Sequence, residues 1–163
     1  MKKTLISIGL IMIVTAFSNV YANTHKQQLL DRSCNRGHID DCGRLGYAYA
    51  YGVEGQVRQD HSKAIGVLNK ACNGRDMESC TILGYVYGLS KGKEENYTKA
   101  IEALTKACDA EEMHGCGKLG FMYAVGRGVE VDRLRAERLL NKACNGGDEA
   151  TCRLIEENEK NIN

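Results

Sequence analysis

The sequence predicts an all-α fold: a right-handed α/α superhelical solenoid of helix pairs, stapled by disulfides. Three observations carry this. All eight cysteines fall into four pairs, Cys34/Cys42, Cys72/Cys80, Cys108/Cys116 and Cys144/Cys152, whose members lie eight positions apart. Successive pairs are offset by 38, 36 and 36 residues, a period at which stacked helical repeats occur. Two further blocks keep the same beat. One is "LGYAY" (Leu45 to Tyr49), "LGYVY" (Leu83 to Tyr87) and "LGFMY" (Leu119 to Tyr123); the other is "DHSKAIGVLNKAC" (60 to 72), "NYTKAIEALTKAC" (96 to 108) and "DRLRAERLLNKAC" (132 to 144).

The chain opens on a basic "MKK", an apolar run "TLISIGLIMIVTAF" and then "SNVYA", with Val20 and Ala22 at the small-residue positions of a cleavage site. That order reads as a secretory signal peptide over residues 1–22. The apolar run is shorter than the roughly 20 residues a spanning helix needs, so cleavage is expected, with no membrane span afterwards. Removing Lys2 and Lys3 leaves 20 basic against 21 acidic residues. With no basic excess to neutralise phosphates, nucleic acid is not an expected partner. The expected location is secreted or periplasmic, and the expected state is a monomer.

From residue 23 to 158 the chain reads as one solenoid. A leading half-repeat (24–41) is followed by repeats over 42–77, 78–113 and 114–147, a trailing helix (148–158) and a charged tail (159–163). The "LGxxY" blocks predict a first helix in each repeat, A, with Cys42, Leu45, Gly46 and Tyr49 on one face at spacings of three and four. Gly46, Gly84 and Gly120 fall in mid-helix, where glycine costs about 1 kcal/mol against alanine, so a repeated close helix packing is expected there. The second helix, B, starts after a capping residue, Asp60, Asn96 or Asp132. It buries Ala64, Ile65, Leu68, Ala71 and Cys72, matched by Ala100, Ile101, Leu104, Ala107 and Cys108.

Within one continuous helix, residues eight apart are separated by about 12 Å along the axis, too far for a disulfide, whose Cα atoms stand roughly 4.4–6.8 Å apart. The chain must fold back between the two cysteines of each pair. "NGRD" and "NGGD" supply turn residues, and Asp76 and Asp148 can cap the next helix A. "DAEEMHG" has no early glycine, so a tighter helical turn is expected at the third pair. In an exported protein, four intra-turn disulfides follow: Cys34–Cys42, Cys72–Cys80, Cys108–Cys116 and Cys144–Cys152. Closing a nine-residue loop gives about 2.5 kcal/mol in the chain-entropy model, a substantial aid to an array with only neighbour contacts.

These blocks resemble the Sel-like repeat (SLR) family, relatives of the tetratricopeptide repeats. The matching residues are "LGxxY", the loop "GRGVEVD" (126 to 132) and "KAIxxLxKAC". A cysteine pair eight apart in every repeat is similar to the Helicobacter cysteine-rich (Hcp) branch. Two loops depart from the pattern: "GVEGQVRQD" is two residues longer, and "SKGKEEN" has Lys93 where valine is usual. The resemblance implies a fold of stacked helix pairs with helices A on the concave face. It also implies either a binding scaffold for peptide, protein or cell-wall ligands, or a weak β-lactamase. The partners it points to are a protein or peptide, a muropeptide or a β-lactam; no cofactor is implied and no catalytic residue is carried over.

On the residues themselves, Ser90 to Lys93 is a literal SxxK, but it lies in a Gly/Lys-rich loop without the SDN and KTG motifs that accompany it in serine β-lactamases. Its spacing is what chance provides. His25, His38, His61 and His114 form no HExxH or ligand-spaced set, so no metal is expected. The better candidate is a surface. Tyr47, Tyr85 and Phe121 hold one equivalent position in successive A helices, with Tyr51 one turn beyond Tyr47. Arg44, Thr81 and Lys118 lie one turn before the aromatics. The aromatics are either a ligand-facing stripe or inter-repeat core, since rings at helical spacing pack in many helices. Tyr49, Tyr87 and Tyr123, on the LGxxY face, are expected in the core.

Overall fold

The computed structural model describes residues 25–53, 57–89 and 94–162. The segment read as a signal peptide and the Ser90 to Lys93 tetrad fall outside them. Among the described residues the chain is helical throughout: α1 over 25–35, α2 Ile39–Tyr51, α3 His61–Asn73, α4 Met77–Gly88, α5 Glu94–Asp109, α6 Met113–Val125, α7 Arg133–Asn145 and α8 Glu149–Ile162. The one extended pairing among them is an isolated bridge between Val53 and Val57. Helices α2, α4, α6 and α8 are A helices; α1, α3, α5 and α7 are B helices. Among the described residues the array runs from the B helix α1 to the A helix α8, and α8 extends to Ile162, through the residues read as a tail.

Capping follows the sequence at two of the three B helices. The Asp60 carboxylate accepts from Lys63 N at 3.0 Å, and that of Asp132 from Arg135 N at 2.9 Å. Asn96 departs from expectation: it lies inside α5, which already starts at Glu94. Glu94 and Glu95 place two carboxylates on the positive end of the helix dipole, and that favours starting the helix upstream.

The repeated glycines are where the two helices of a pair meet. A Cβ on Gly46 would lie 2.4 Å from Leu68 Cδ2, one on Gly84 2.5 Å from Leu104 Cγ, and one on Gly120 2.9 Å from Leu140 Cγ. Each leucine fills the notch left by the missing side chain. Around these contacts run two continuous clusters, one centred on Leu45, Leu68, Leu83 and Val86, the other on Leu104, Leu119, Met122 and Tyr123.

All four fold-back turns share one geometry. The residue three after the first cysteine is left-handed: Gly37 (φ 96°), Arg75 (73°), Glu111 (62°) and Gly147 (98°). Its N–H returns to the cysteine carbonyl, at 3.0, 3.2, 3.1 and 2.9 Å. The next N–H returns to the residue before the cysteine, at 3.2, 3.1, 3.0 and 2.9 Å. This is the Schellman pattern of helix termination. The third turn is therefore not tighter than the rest, contrary to expectation: Glu111 adopts the left-handed conformation that Gly37 and Gly147 adopt elsewhere. In "NGRD" the turning residue is Arg75, not Gly74. Gly74 and Gly146 serve packing instead, since a Cβ there would strike Ile39 Cδ1 at 2.3 Å and Met113 Sδ at 2.4 Å.

The four expected disulfides are formed, with Cα–Cα distances of 4.6, 4.7, 4.5 and 4.7 Å in chain order, and no cysteine is free. Each joins the end of a B helix to the first turn of the next A helix. The first three bridges are buried, while Cys144 and Cys152 are partly exposed. A second link, not read from the sequence, uses the lysine of each "KAC". Lys106 Nζ donates to the Cys72 carbonyl at 2.9 Å, Lys142 Nζ to the Cys108 carbonyl at 3.1 Å, and Lys70 Nζ to Asn35 Oδ1 at 2.8 Å. Each B helix thus sets a cation on the negative C-terminus of the B helix before it.

Neighbouring A helices (α2 with α4, α4 with α6) touch one another more closely than neighbouring B helices do. The A layer is therefore the inner, concave one, as the SLR resemblance implied.

Candidate functional site

Because Leu45, Gly46, Tyr49 and Ala50 point α2 into the core, the positions between them face the concavity. Tyr47 is 51% exposed, and Tyr51 and Phe121 are exposed as well, while Tyr85 is half-buried. The rings form a ladder across helices. Tyr47 and Tyr51 stand 4.8 Å apart between centroids and tilted by 49°; Tyr51 stacks on Tyr85 at 5.6 Å and 20°. Lys118 Nζ then lies 5.2 Å from the Tyr85 centroid, within cation–π range. The ladder thus passes from α2 to α4 to α6. Burial, and then the neighbouring Tyr85, Tyr47 and Glu78, push the Tyr51 hydroxyl above the usual tyrosine pKa.

The tyrosines of the LGxxY face divide from these. Tyr49 and Tyr123 are buried as expected, and Tyr87 is half-buried with its hydroxyl accepting from Asn69 Nδ2 at 3.4 Å.

Two flanking residues need correction. Thr81 is only 5% exposed, and its hydroxyl donates to the Glu112 carboxylate of the next repeat. It lies four residues before Tyr85, not three; the residue in register with Arg44 and Lys118 is Ile82, which is buried. Thr81 is an inter-repeat polar contact and does not reach the groove. Arg44 is exposed on the inner face, but it shares a shallow groove of about 460 Å³ with Asp40, Asp76 and Glu78. That end of the face carries both signs of charge rather than a cationic flank.

Sequence reading missed Leu89, Val125 and Leu154. All three are exposed: Leu89 at the C-terminal end of α4, Val125 on α6 and Leu154 on α8. Leu89 and Val125 are the equivalents of Tyr51 at the same offsets of 38 and 36, and Leu154 follows Lys118 by 36. The period that found Tyr85 and Phe121 from Tyr47 would have found them. With them the aromatic ladder becomes an apolar ribbon that ends in a pocket of about 670 Å³ between α6, α7 and α8.

His114 belongs to a different contact. Its Nδ1 lies 3.0 Å from Oδ1 of Asp148, a buried carboxylate whose Oδ2 accepts the Thr151 hydroxyl at 2.6 Å. Burial alone would raise the Asp148 pKa; Thr151 and His114 together hold it below the usual carboxylate value. Among the described residues no group of three or more His, Cys, Asp and Glu is placed to hold a metal.

Comparison with known proteins places this geometry. The model of the Sel1 repeat matches residues 41–76, 78–111 and 114–148. The chain is similar to a protective antigen of uropathogenic Escherichia coli displaying an SLR fold, at 29% identity and a TM-score of 0.67 over 72% of this chain. It spans 25% of that antigen's length. It is similar to a Sel1 repeat protein from Oxalobacter formigenes, at 25% identity and a TM-score of 0.61, covering 80% of this chain and 96% of that one. Helicobacter pylori cysteine-rich protein B shares the fold at 24% identity and a TM-score of 0.60, covering 83% and 96% of the two chains. A search of curated proteins gives no match.

Proposed function

Since the chain belongs to the Sel1 repeat family, we propose that its inner face is a binding surface for an extended, peptide-like segment of a protein or cell-wall partner. The observation that carries this reading is the ladder Tyr47–Tyr51–Tyr85–Lys118, which crosses three consecutive A helices at the solvent face. Evenly spaced flat side chains on a stacked array suit a chain that runs along them better than a compact metabolite. Tyrosine offers apolar contact and a hydroxyl with few rotamers to freeze. Lys118 supplies a point charge for a carboxylate, while the mixed charges around Arg44 favour polar groups over a strongly anionic ligand. Four disulfides with no free cysteine support an oxidising location, secreted or periplasmic.

The test uses a soluble muropeptide and a panel of extended decapeptides, followed by 15N NMR on the purified chain. A productive probe should shift the helices bearing Tyr47, Tyr85 and Lys118. Tyr51→Ala and Tyr85→Ala should each weaken it by a factor of at least about ten, as expected of interface hot spots, with thermal melts unchanged. Variants that melt early would make the ladder a packing element and sink the proposal. Variants that melt normally and bind undiminished would do the same. The β-lactamase alternative rests on the Hcp resemblance alone. It is measured separately, by cephalosporin turnover against a Ser90→Ala variant.

A further inference from the structure

The rings of the ladder recur with the helices that carry them. Tyr47 and Tyr85 hold one position on α2 and α4, and Tyr51 joins them, stacked on Tyr85 at 5.6 Å. Packed helices stand about 8–10 Å apart, so a chain laid across the A helices meets equivalent contacts at that interval. A β-strand returns a side chain to the same face after two residues, about 7 Å. A polyproline II helix returns one after a turn of three residues, about 9 Å. It also leaves every carbonyl without an internal partner, and tyrosine hydroxyls can donate to them.

A second set of equivalent positions carries charge. Asp40 and Glu78 lie seven residues before Tyr47 and Tyr85, and both are exposed. Together with Arg44 they line the groove that leads to Tyr47. Asp76, in the same groove, is engaged as the cap of α4, accepting from Ser79 N at 3.2 Å and Ser79 Oγ at 2.6 Å. On α6 the equivalent residue is His114, which lies 3.0 Å from Asp148 Oδ1, and on α8 it is Ala150. The acidic edge therefore belongs to α2 and α4, while Lys118 marks the α6 end of the ladder.

We infer that the segment bound on the inner face is proline-rich, in the polyproline II conformation, with a basic residue over α2 and α4. Such a segment docks on aromatic-lined surfaces with little ordering left to do, because its conformation is already set. An arginine beside the proline at Tyr47 faces the two carboxylates, of which Arg44 offsets only one. The sequence contains no proline, so none of these 163 residues supplies the segment. The inference rests on the inner-face reading and gives its ligand a composition, a conformation and a direction.

The probes are octaproline behind acetyl-arginine, octaproline behind acetyl-glutamate, and a glycine–serine octamer behind acetyl-arginine. Each is titrated to millimolar concentration against the purified chain and followed by 15N NMR. The arginine–octaproline probe should shift the amides around Tyr47, Tyr51 and Tyr85 saturably. The glycine–serine probe should bind at least about tenfold more weakly, and the glutamate–octaproline probe at least about threefold more weakly. The double variant Asp40→Asn/Glu78→Gln should still bind octaproline but lose the preference for arginine. Silence of the arginine–octaproline probe, equal affinity for the glycine–serine probe, or an arginine preference kept by the double variant would overturn the inference. So would tighter binding of an alanine-rich helical peptide of the same charge, because the occupant would then be a helix. If octaproline fails while a decapeptide or the muropeptide shifts these helices and Tyr85→Ala abolishes the response, the inner-face reading stands and its ligand is not polyproline. If no probe shifts these helices, both readings fall.

Discussion

Replacing Gly84 by alanine is the sharpest test of how the helices of a pair meet. In a solvent-facing helix that change stabilises by about 1 kcal/mol, because alanine loses less backbone entropy. Gly84 faces α5 instead. The added methyl would lie 2.5 Å from Leu104 Cγ, 2.8 Å from its Cδ2 and 3.1 Å from the Ala100 carbonyl oxygen. Leu104 is fully buried, and the carbonyl is backbone, so neither yields without moving α5. Overpacking of this kind costs about 1–3 kcal/mol, which offsets the propensity gain and leaves a net loss of up to about 2 kcal/mol, with about 1 kcal/mol at the middle of the range. Gly66, in the middle of α3, is the internal control, since a Cβ there meets nothing within 4 Å; Gly66→Ala should stabilise by about 1 kcal/mol. Urea unfolding with the disulfides intact should therefore move the two midpoints in opposite directions, by a combined 2 kcal/mol or so. Adding Leu104→Ala to Gly84→Ala should cost less than the sum of the single changes, because the smaller side chain removes the collision. If Gly84→Ala stabilises as much as Gly66→Ala, α4 and α5 are not in the contact described, and the account of the repeated glycine is wrong.

Lys106→Met should lower stability by about 1 kcal/mol, the worth of one hydrogen bond to a helix-terminal carbonyl, measured by the same urea titration; an unchanged midpoint would show that the lysine link contributes nothing. Graded dithiol reduction with alkylation and peptide mapping should open Cys144–Cys152 before the three buried bridges, and a random order would contradict the burial pattern. Because its pKa is lowered in the folded chain, Asp148 contributes stability that is present above the unfolded carboxylate value, near 3.8, and is lost as pH falls through the folded one. His114→Gln should shrink that acid-side loss, read from thermal melts between neutral and acid pH; an unchanged profile would remove the histidine from the contact.

The cysteine period made the helices, their order and the bridges legible, because a loop of fixed length and a shared turn recur with it. Finer features escaped for physical reasons. Thr81 was misplaced because the first offset is 38, so that Arg44 maps onto Ile82 and a slip of one position turns a helical residue from the groove into the packing. The left-handed Arg75 and Glu111 carry no glycine to announce them, since the bonds of the turn enforce the conformation. Asn96 resembled a cap because its neighbours upstream looked like loop, yet two glutamates sufficed to begin α5 earlier. At the candidate site the aromatic equivalence was readable. The exposure that separates Tyr47 from Tyr49 depends on which way each helix is rolled, and only packing against Leu68 and its equivalents decides that.

Each bridge spans the connection between one repeat and the next and encloses only a turn. A protease that cuts between Cys72 and Cys80, or in any of the other three turns, therefore leaves its two products covalently joined, held by the sulfur bond and by the helices on either side. A cut between the A and B helices of one repeat lies outside every bridged loop and severs the chain. Under proteolysis the turns are thus the places where damage can be sustained without loss of parts, and the A-to-B loops are the places where the molecule can be divided.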